Sequence, residues 1–427
     1  MNLTFHGAAK EVGRSCIELK TYKSRVFLDS GIKVTEHGIE YPIDVKQLNK
    51  VDAVFLSHAH LDHSGALAYF AKQGLKCPIY CTEMTKQIAK VLIKDSHKVE
   101  LLENFQPKYG HQDIANAVRL MKVVQLNKQY QHKDILFTYY PAGHIAGAAS
   151  VLLETNQKRI LYSGDFNTID IHSVKAPETY PKDVDYLILE STYGDREHPD
   201  RFDTELKFID KIKEVLKRGG KVVIAGFAVG RIQELIMILA DARLNVPIYV
   251  DGMGNKINQL LLTYSKNSND IRDYKAFKKS LKRIIPVKGR NFRNEIVKEK
   301  KAIYVSTSGM LTGGPVITYL KEIWDDSRNA ILLTGYQVES TNGRLLLDTG
   351  KLFLDGIQVN VKAEYHKFDF SAHAGLKEMD TYVKRMNPKK IILNHGDEEI
   401  IDYFSKYLTK KGYNVIVPEL NKTIDLS

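Results

Sequence analysis

The stretch Ser57-His58-Ala59-His60-Leu61-Asp62-His63 places three imidazoles and a carboxylate within six residues. It follows the apolar run Val51-Asp52-Ala53-Val54-Phe55-Leu56, which reads as a buried strand, and precedes Ser64-Gly65-Ala66-Leu67, which reads as the start of a helix. The cluster therefore sits on a turn at the C-terminal edge of a strand, where open α/β sheets place their chemistry. Neutral imidazole and carboxylate are the ligand set of zinc and similar divalent ions.

Four other apolar strands end in a polar group of the same kind. Val26-Phe27-Leu28 runs into Asp29, Phe137 to Tyr140 into His144, Arg159 to Tyr162 into Asp165, and Tyr186 to Leu189 into Glu190. Such endings suggest a shared edge at which strand termini converge. His58 and His60, one residue apart, can bind one ion, and Asp62 with His63 a second; His144 could complete the first site and His395 the second. Asp165 is the natural bridging carboxylate. Two cations about 3.5–4 Å apart would activate water near neutral pH and clamp a phosphoryl oxygen, which suits in-line attack on a phosphodiester. The leaving oxygen then needs a proton. His373, in Phe370-Ser371-Ala372-His373, is a candidate general acid that Glu190 could orient and whose pKa it could raise. Asp29 is a candidate for holding a ligand histidine in place.

With 427 residues, 43% hydrophobic and 26% charged, the chain is expected to form two or three domains of a soluble protein. It has no apolar run of membrane-spanning length, and its N-terminus enters a strand pattern with no signal peptide, so a cytoplasmic location is expected. Three cysteines, Cys16, Cys77 and Cys81, argue against a disulfide framework, and Cys77 and Cys81 read as small buried residues flanking a strand. The net charge of +11 suggests a polyanionic partner, and Lys266 to Lys301, with thirteen Lys/Arg against four Asp/Glu, carries +9 of it. Residues 83–105 read as a helix, and a polar stretch then leads to strands near 118–125. From 195 to 344 near-continuous apolar strands alternate with helices, the pattern of a parallel sheet covered on both faces. The expected domains are thus 1–194, 195–344 and 345–427, the first and last forming one domain and the middle an insertion. The C-terminal strand near Tyr413 to Pro418 offers an edge through which a homodimer could pair.

The His-x-His-x-Asp-His cluster with Asp29, His144 and Asp165 resembles the metallo-β-lactamase superfamily. That resemblance implies an α/β fold, an αββα sandwich with a dinuclear zinc site (Mn2+ being the alternative metal). Glu190 in Leu-Glu-Ser-Thr-Tyr-Gly, His373 in Phe-Ser-Ala-His and His395 in Asn-His-Gly resemble the further motifs of its β-CASP branch. So do Gly226-Phe-Ala-Val-Gly-Arg231, Thr307-Ser-Gly-Met-Leu311 and Gly335-Tyr-Gln-Val-Glu339. The likeness is to the nuclease subunit of the cleavage and polyadenylation specificity factor and its archaeal and bacterial relatives. It implies that the insert is a Rossmann-like parallel β-CASP domain. It assigns His58, His60 and His144 to one zinc, Asp62, His63 and His395 to the other, Asp165 to both, and His373 with Glu190 to the leaving group. The insert would lid the site and admit single-stranded RNA, with Ser308, Gly309, Arg231 and Arg344 holding backbone phosphates. The implied activity is hydrolysis of RNA phosphodiester bonds, endonucleolytic, 5′→3′ exonucleolytic or both. The alternatives are a catalytically weak RNA-binding paralogue and a small-molecule metallohydrolase of the same fold. Gly375 departs from the group, which commonly has Asp there, and removes a side-chain helix cap. Archaeal relatives often carry N-terminal KH domains, whereas this sequence is expected to have no such module.

Overall fold

In the computed structural model, which describes all residues except Glu36, Asn104, Asn267, Asn269 and Ser427, the strand before the histidine turn is Ala53–Phe55. It lies in a seven-stranded sheet ordered Thr423–Asp425, Asn2–Phe5, Ile17–Lys20, Arg25–Leu28, Ala53–Phe55, Ile79–Cys81, Met121–Val123. A second seven-stranded sheet runs Val415–Ile416, Lys390–Asn394, Tyr186–Glu190, Lys158–Tyr162, Ala149–Thr155, Ile135–Pro141, Gln129–His132. Alternate residues of both sheets meet in one apolar core: Leu3, Phe5, Val26, Leu28 and Phe55 from the first, Phe137, Tyr139, Val151, Tyr162 and Ile188 from the second. The aromatic rings interdigitate, with Phe55 edge-on to Phe137 at 4.9 Å and Tyr80 tilted against Phe137 at 4.7 Å. Helices cover the outer faces: Glu83–Leu102 and His111–Leu120 on the first sheet's side, Glu398–Lys410 against strand Lys390–Asn394. This is an αββα sandwich.

The sandwich comprises Met1–Asp170, Ala176–Glu197 and Ala372–Ser427; a second compact unit comprises Ile171–Lys175 and His198–Ser371. The second unit holds a six-stranded sheet ordered Ile285–Pro286, Ile248–Asp251, Ile303–Ser306, Val222–Ala225, Ala330–Leu333, Glu364–Lys367, parallel throughout. Both its faces are buried, as the near-continuous apolar strands require: Ile303 and Val305 enter one core and Tyr304 the other.

Three local expectations change. The polar stretch before residue 118 is helix His111–Leu120, leading into strand Met121–Val123. Asp113 accepts the Gly110 N–H at 2.9 Å, and Ile114 and Ala117 give it a buried stripe too short to show as periodicity. The helix expected over 83–105 is Glu83–Leu102, and Asn104 lies outside the described residues, as do Asn267 and Asn269 of the basic segment. A boundary at 344 falls inside the second unit, because Glu364–Lys367 pairs in parallel with Ala330–Leu333. At Gly375 no side chain caps helix Leu376–Met386, but Glu378 accepts the Gly375 N–H at 2.7 Å and half of the cap is kept. Among the described residues no helix is long and apolar enough to cross a membrane.

Candidate metal centre

All ten candidate metal, proton-transfer and supporting residues lie in the sandwich unit, eight at strand ends or in loops and two, Asp62 and His63, in the short helix Leu61–Ser64. The loop after strand Arg25–Leu28 clasps the histidine turn through its backbone: Ser30 N donates to His63 O at 2.7 Å and Ile32 N to Leu61 O at 2.9 Å. The two segments come so close that a Cβ at Gly31 would lie 1.6 Å from the Asp62 carbonyl oxygen, which explains the glycine.

His58, His60, His144 and Asp165 offer ligand atoms all within 4.8 Å of one another, and so do Asp62, His63, Asp165 and His395. Asp165 turns one oxygen to each group. Oδ2 is 3.5 Å from His58 Nε2 and 3.8 Å from His144 Nε2; Oδ1 is 3.3 Å from His63 Nε2 and 3.4 Å from His395 Nδ1. His60 Nδ1 lies 3.1 Å from His144 Nε2, and Asp62 Oδ2 is 3.4 Å from His395 Nε2.

Outer hydrogen bonds fix the ring tautomers. His144 Nδ1 donates to Ala372 O at 2.8 Å, and His63 Nδ1 to Asp29 Oδ2 at 2.6 Å, so each leaves Nε2 facing the cluster. Asp29 also accepts from Ser57 N, Ser57 Oγ and Tyr162 Oη, each at 2.7 Å. With its hydroxyl proton given to Asp29, Ser57 Oγ is free to accept from His58 Nδ1 at 3.0 Å. One buried carboxylate thus braces a histidine of both groups. Asp29→Asn cannot satisfy four donors, and metal affinity is expected to fall about 10–100-fold. A competitive chelator titration reads this, and unchanged affinity with a native circular-dichroism spectrum would sink it.

The donor set fits a metal. His58 Nε2, His63 Nε2, His395 Nε2 and Asp165 Oδ1 are buried with no hydrogen-bond partner, an arrangement that costs about 1–3 kcal/mol per group unless something fills it. Burial, together with the neighbouring rings, pushes His58 and His144 well below the ordinary imidazole range, and burial lowers His60. These rings are neutral, the ligating form. Burial alone would raise Asp165, but His63 and the other imidazoles hold its carboxyl well below the carboxylate range.

A third grouping joins Asp165, Glu190 and His373. Glu190 is buried, its Oε1 accepting from Phe166 N at 3.2 Å and its Oε2 from Thr192 N at 3.2 Å. His373 Nδ1 donates to Glu190 Oε1 at 3.0 Å, and its Nε2 points to within 3.9 Å of Asp165 Oδ2. Burial lowers this imidazole, but Glu190 and Asp165 outweigh it and raise it to about 9.

Residues 18–176 match the metallo-beta-lactamase superfamily domain, 232–346 the Beta-Casp domain, and 358–418 the Zn-dependent metallo-hydrolase RNA specificity domain. The chain is 42% identical to a probable RNase MJ4 of Methanocaldococcus jannaschii over 99% of this chain and 100% of that one. The chain belongs to the β-CASP ribonuclease family of the metallo-β-lactamase superfamily. Two further relatives of this β-CASP chain are RNase aCSPSF2 of Saccharolobus solfataricus (32% identity, 98% of this chain, 84% of the relative) and the transcription termination factor FttA of Methanothermobacter thermautotrophicus (34%, 92% and 67%). A crystal structure of a protein of unknown function from Enterococcus faecalis V583 shares the fold, with a TM-score of 0.60 at 17% identity over 99% of both chains.

The candidate phosphate contacts of this β-CASP chain belong to the second unit: Ser308 and Gly309 in the loop after strand Ile303–Ser306, Arg231 at the start of helix Arg231–Asp241 and Arg344 in helix Asn342–Thr349. Ser308 Oγ accepts from Thr312 N at 3.1 Å, and Gly309 O accepts from Gln337 Nε2 at 3.1 Å. A Cβ at Gly309 would meet Phe227 N at 3.0 Å. Arg231 is buried with its guanidinium 5.9 Å over the Phe370 ring, whereas Arg344 is exposed and pairs with Asp348 at 2.7 Å. Sequence reasoning missed Ser57 and Tyr162. Ser57 adjoins the cluster and could have been suspected, but Tyr162 gave no signal.

Proposed function

We propose that the protein hydrolyses phosphodiester bonds of single-stranded RNA at a dinuclear centre, one cation held by His58, His60 and His144, the other by Asp62, His63 and His395, with Asp165 shared. The observation that carries this is the division of Asp165, one oxygen toward each ligand group. Divalent cations, zinc first, supply Lewis-acid activation of water and of a phosphoryl oxygen when bound. The chain's own residues do the rest. Asp29 holds His63 directly and His58 through Ser57, so the ligands are preorganised. Glu190 keeps the proton on His373 Nδ1 and leaves Nε2–H to protonate the departing oxygen. Ser308 and Gly309 are assigned to backbone phosphate. The Asp348 ion pair of Arg344 and the burial of Arg231 beside Phe370 suit structural roles.

One RNA labelled at either end, offered with a 5′ monophosphate or a 5′ triphosphate, tests this reading. Metal-loaded protein is expected to cut it and chelator-treated protein to leave it intact. Mononucleotide release from the monophosphate form alone would mean 5′→3′ exonuclease, and internal fragments from both forms endonuclease. Cleavage that survives complete metal removal would overturn the proposal.

A further inference from the structure

Five of the thirteen basic residues between Lys266 and Lys301 lie on one face of the second unit. Helix Tyr274–Ser280 starts at Asp273, whose Oδ1 accepts the Ala276 N–H at 2.9 Å, and backbone bonds from Leu281, Lys282 and Arg283 carry the helical turn onward. Phe277 and Ser280 are buried beneath it, and Ile284 follows in one of the unit's apolar cores. This inner stripe fixes which side faces out. Lys275, Lys278, Lys279, Lys282 and Arg283 recur at helical spacing on that outer side, and all are exposed. Among the described residues none of the five side chains meets an acid or any other hydrogen-bond partner. The helix packs against helix Arg231–Asp241, and the strand that follows it, Ile285–Pro286, is the outermost of its sheet.

Like charges three and four residues apart on a helix repel one another, so this arrangement lowers the protein's own stability. A row of phosphates relieves that repulsion and releases condensed counterions. A protein partner fits less well, because lysine is depleted from protein interfaces and these five positions offer no aromatic or aliphatic anchor.

We propose that this face binds the phosphate backbone of long RNA substrates, without sequence preference. The inference rests on the ribonuclease reading above. Two triple variants test it, Lys275→Glu/Lys278→Glu/Lys279→Glu and the same three positions changed to Gln. Each is compared with the wild type on a single-stranded RNA of about 40 nucleotides and on a hexanucleotide, by filter binding and by cleavage. For the long RNA the charge-reversed variant is expected to raise Kd and KM about ten-fold near 0.1 M salt. The slope of log affinity against log salt is expected to fall by about 2, from three phosphates at about 0.7 each. Hexanucleotide cleavage and kcat are expected to be unchanged, which also shows that the variant is folded, and the Gln variant should shift the same way by less. An unchanged Kd and salt slope for the long RNA would overturn the proposal. Wild-type protein that binds the long RNA through this face but cuts neither RNA would count against the ribonuclease reading alone.

Discussion

Asp165→Asn is expected to abolish RNA cleavage while leaving RNA binding within about three-fold of the wild type, because the phosphate contacts assigned above do not involve this residue. The carboxylate stands between the two ligand groups, Oδ2 toward His58 and His144, Oδ1 toward His63 and His395. It is buried, and the imidazoles around it hold it ionised. An amide of the same size keeps the packing but loses the charge and one ligating oxygen, so both sites weaken together. A fall in kcat of at least about 10⁴-fold, or roughly 5.5 kcal/mol in the barrier, is expected. Metal content per chain should fall in parallel, which separates this mechanism from a purely steric one. Elemental analysis of the purified variant with single-turnover kinetics reads both quantities. Full metal content with wild-type turnover would remove Asp165 from the centre.

The grouping of the ligand-type residues was legible because they follow the ends of strands. A strand ends in one direction, parallel strands end on one edge, and the sequence marks each ending by the change from an apolar run to His, Asp or Glu. His58 to His63, Asp165 and Glu190 group on that logic from the sequence alone. Asp29 was legible only as a candidate support. Its link to Ser57 and Tyr162 joins strand ends from two different sheets, and the stacking register that brings Tyr162 Oη within 2.7 Å leaves no trace in local sequence. The end of the inserted unit was hidden for a related reason. Glu364–Lys367 is polar and partly exposed throughout, yet it pairs in parallel with the fully buried Ala330–Leu333 as the sheet's outer strand. Strand pattern reports burial, and an edge strand is half-buried whichever sheet it joins. The basic helix is the converse case: its charge was plain in the sequence, but its single outward face emerges only once Phe277, Ser280 and Ile284 are seen to be buried.

His373→Ala is expected to separate proton transfer from metal binding. The imidazole is anchored through Nδ1 to Glu190, itself held by two backbone amides, and it lies 3.9 Å from the shared Asp165 without belonging to either four-residue ligand group. Its loss should therefore leave metal content unchanged and lower kcat about 10²–10⁴-fold, the usual worth of a positioned general acid. Two further readouts exclude a merely structural role. A substrate whose leaving oxygen is replaced by sulfur departs as a stable thiolate and needs no proton, so its cleavage should be nearly insensitive to the substitution. The pH profile should change as well. A general acid works below its pKa and fails as pH rises through it; the carboxylates raise His373 to about 9, and bound cations would lower that value. The wild-type rate should therefore decline on the alkaline side at or below about pH 9, and the variant should lack that limb. Glu190→Gln should weaken the same limb and, combined with His373→Ala, add almost nothing, since the two act as one unit. Equal rate losses on the oxygen and sulfur substrates would assign His373 to positioning rather than to proton transfer.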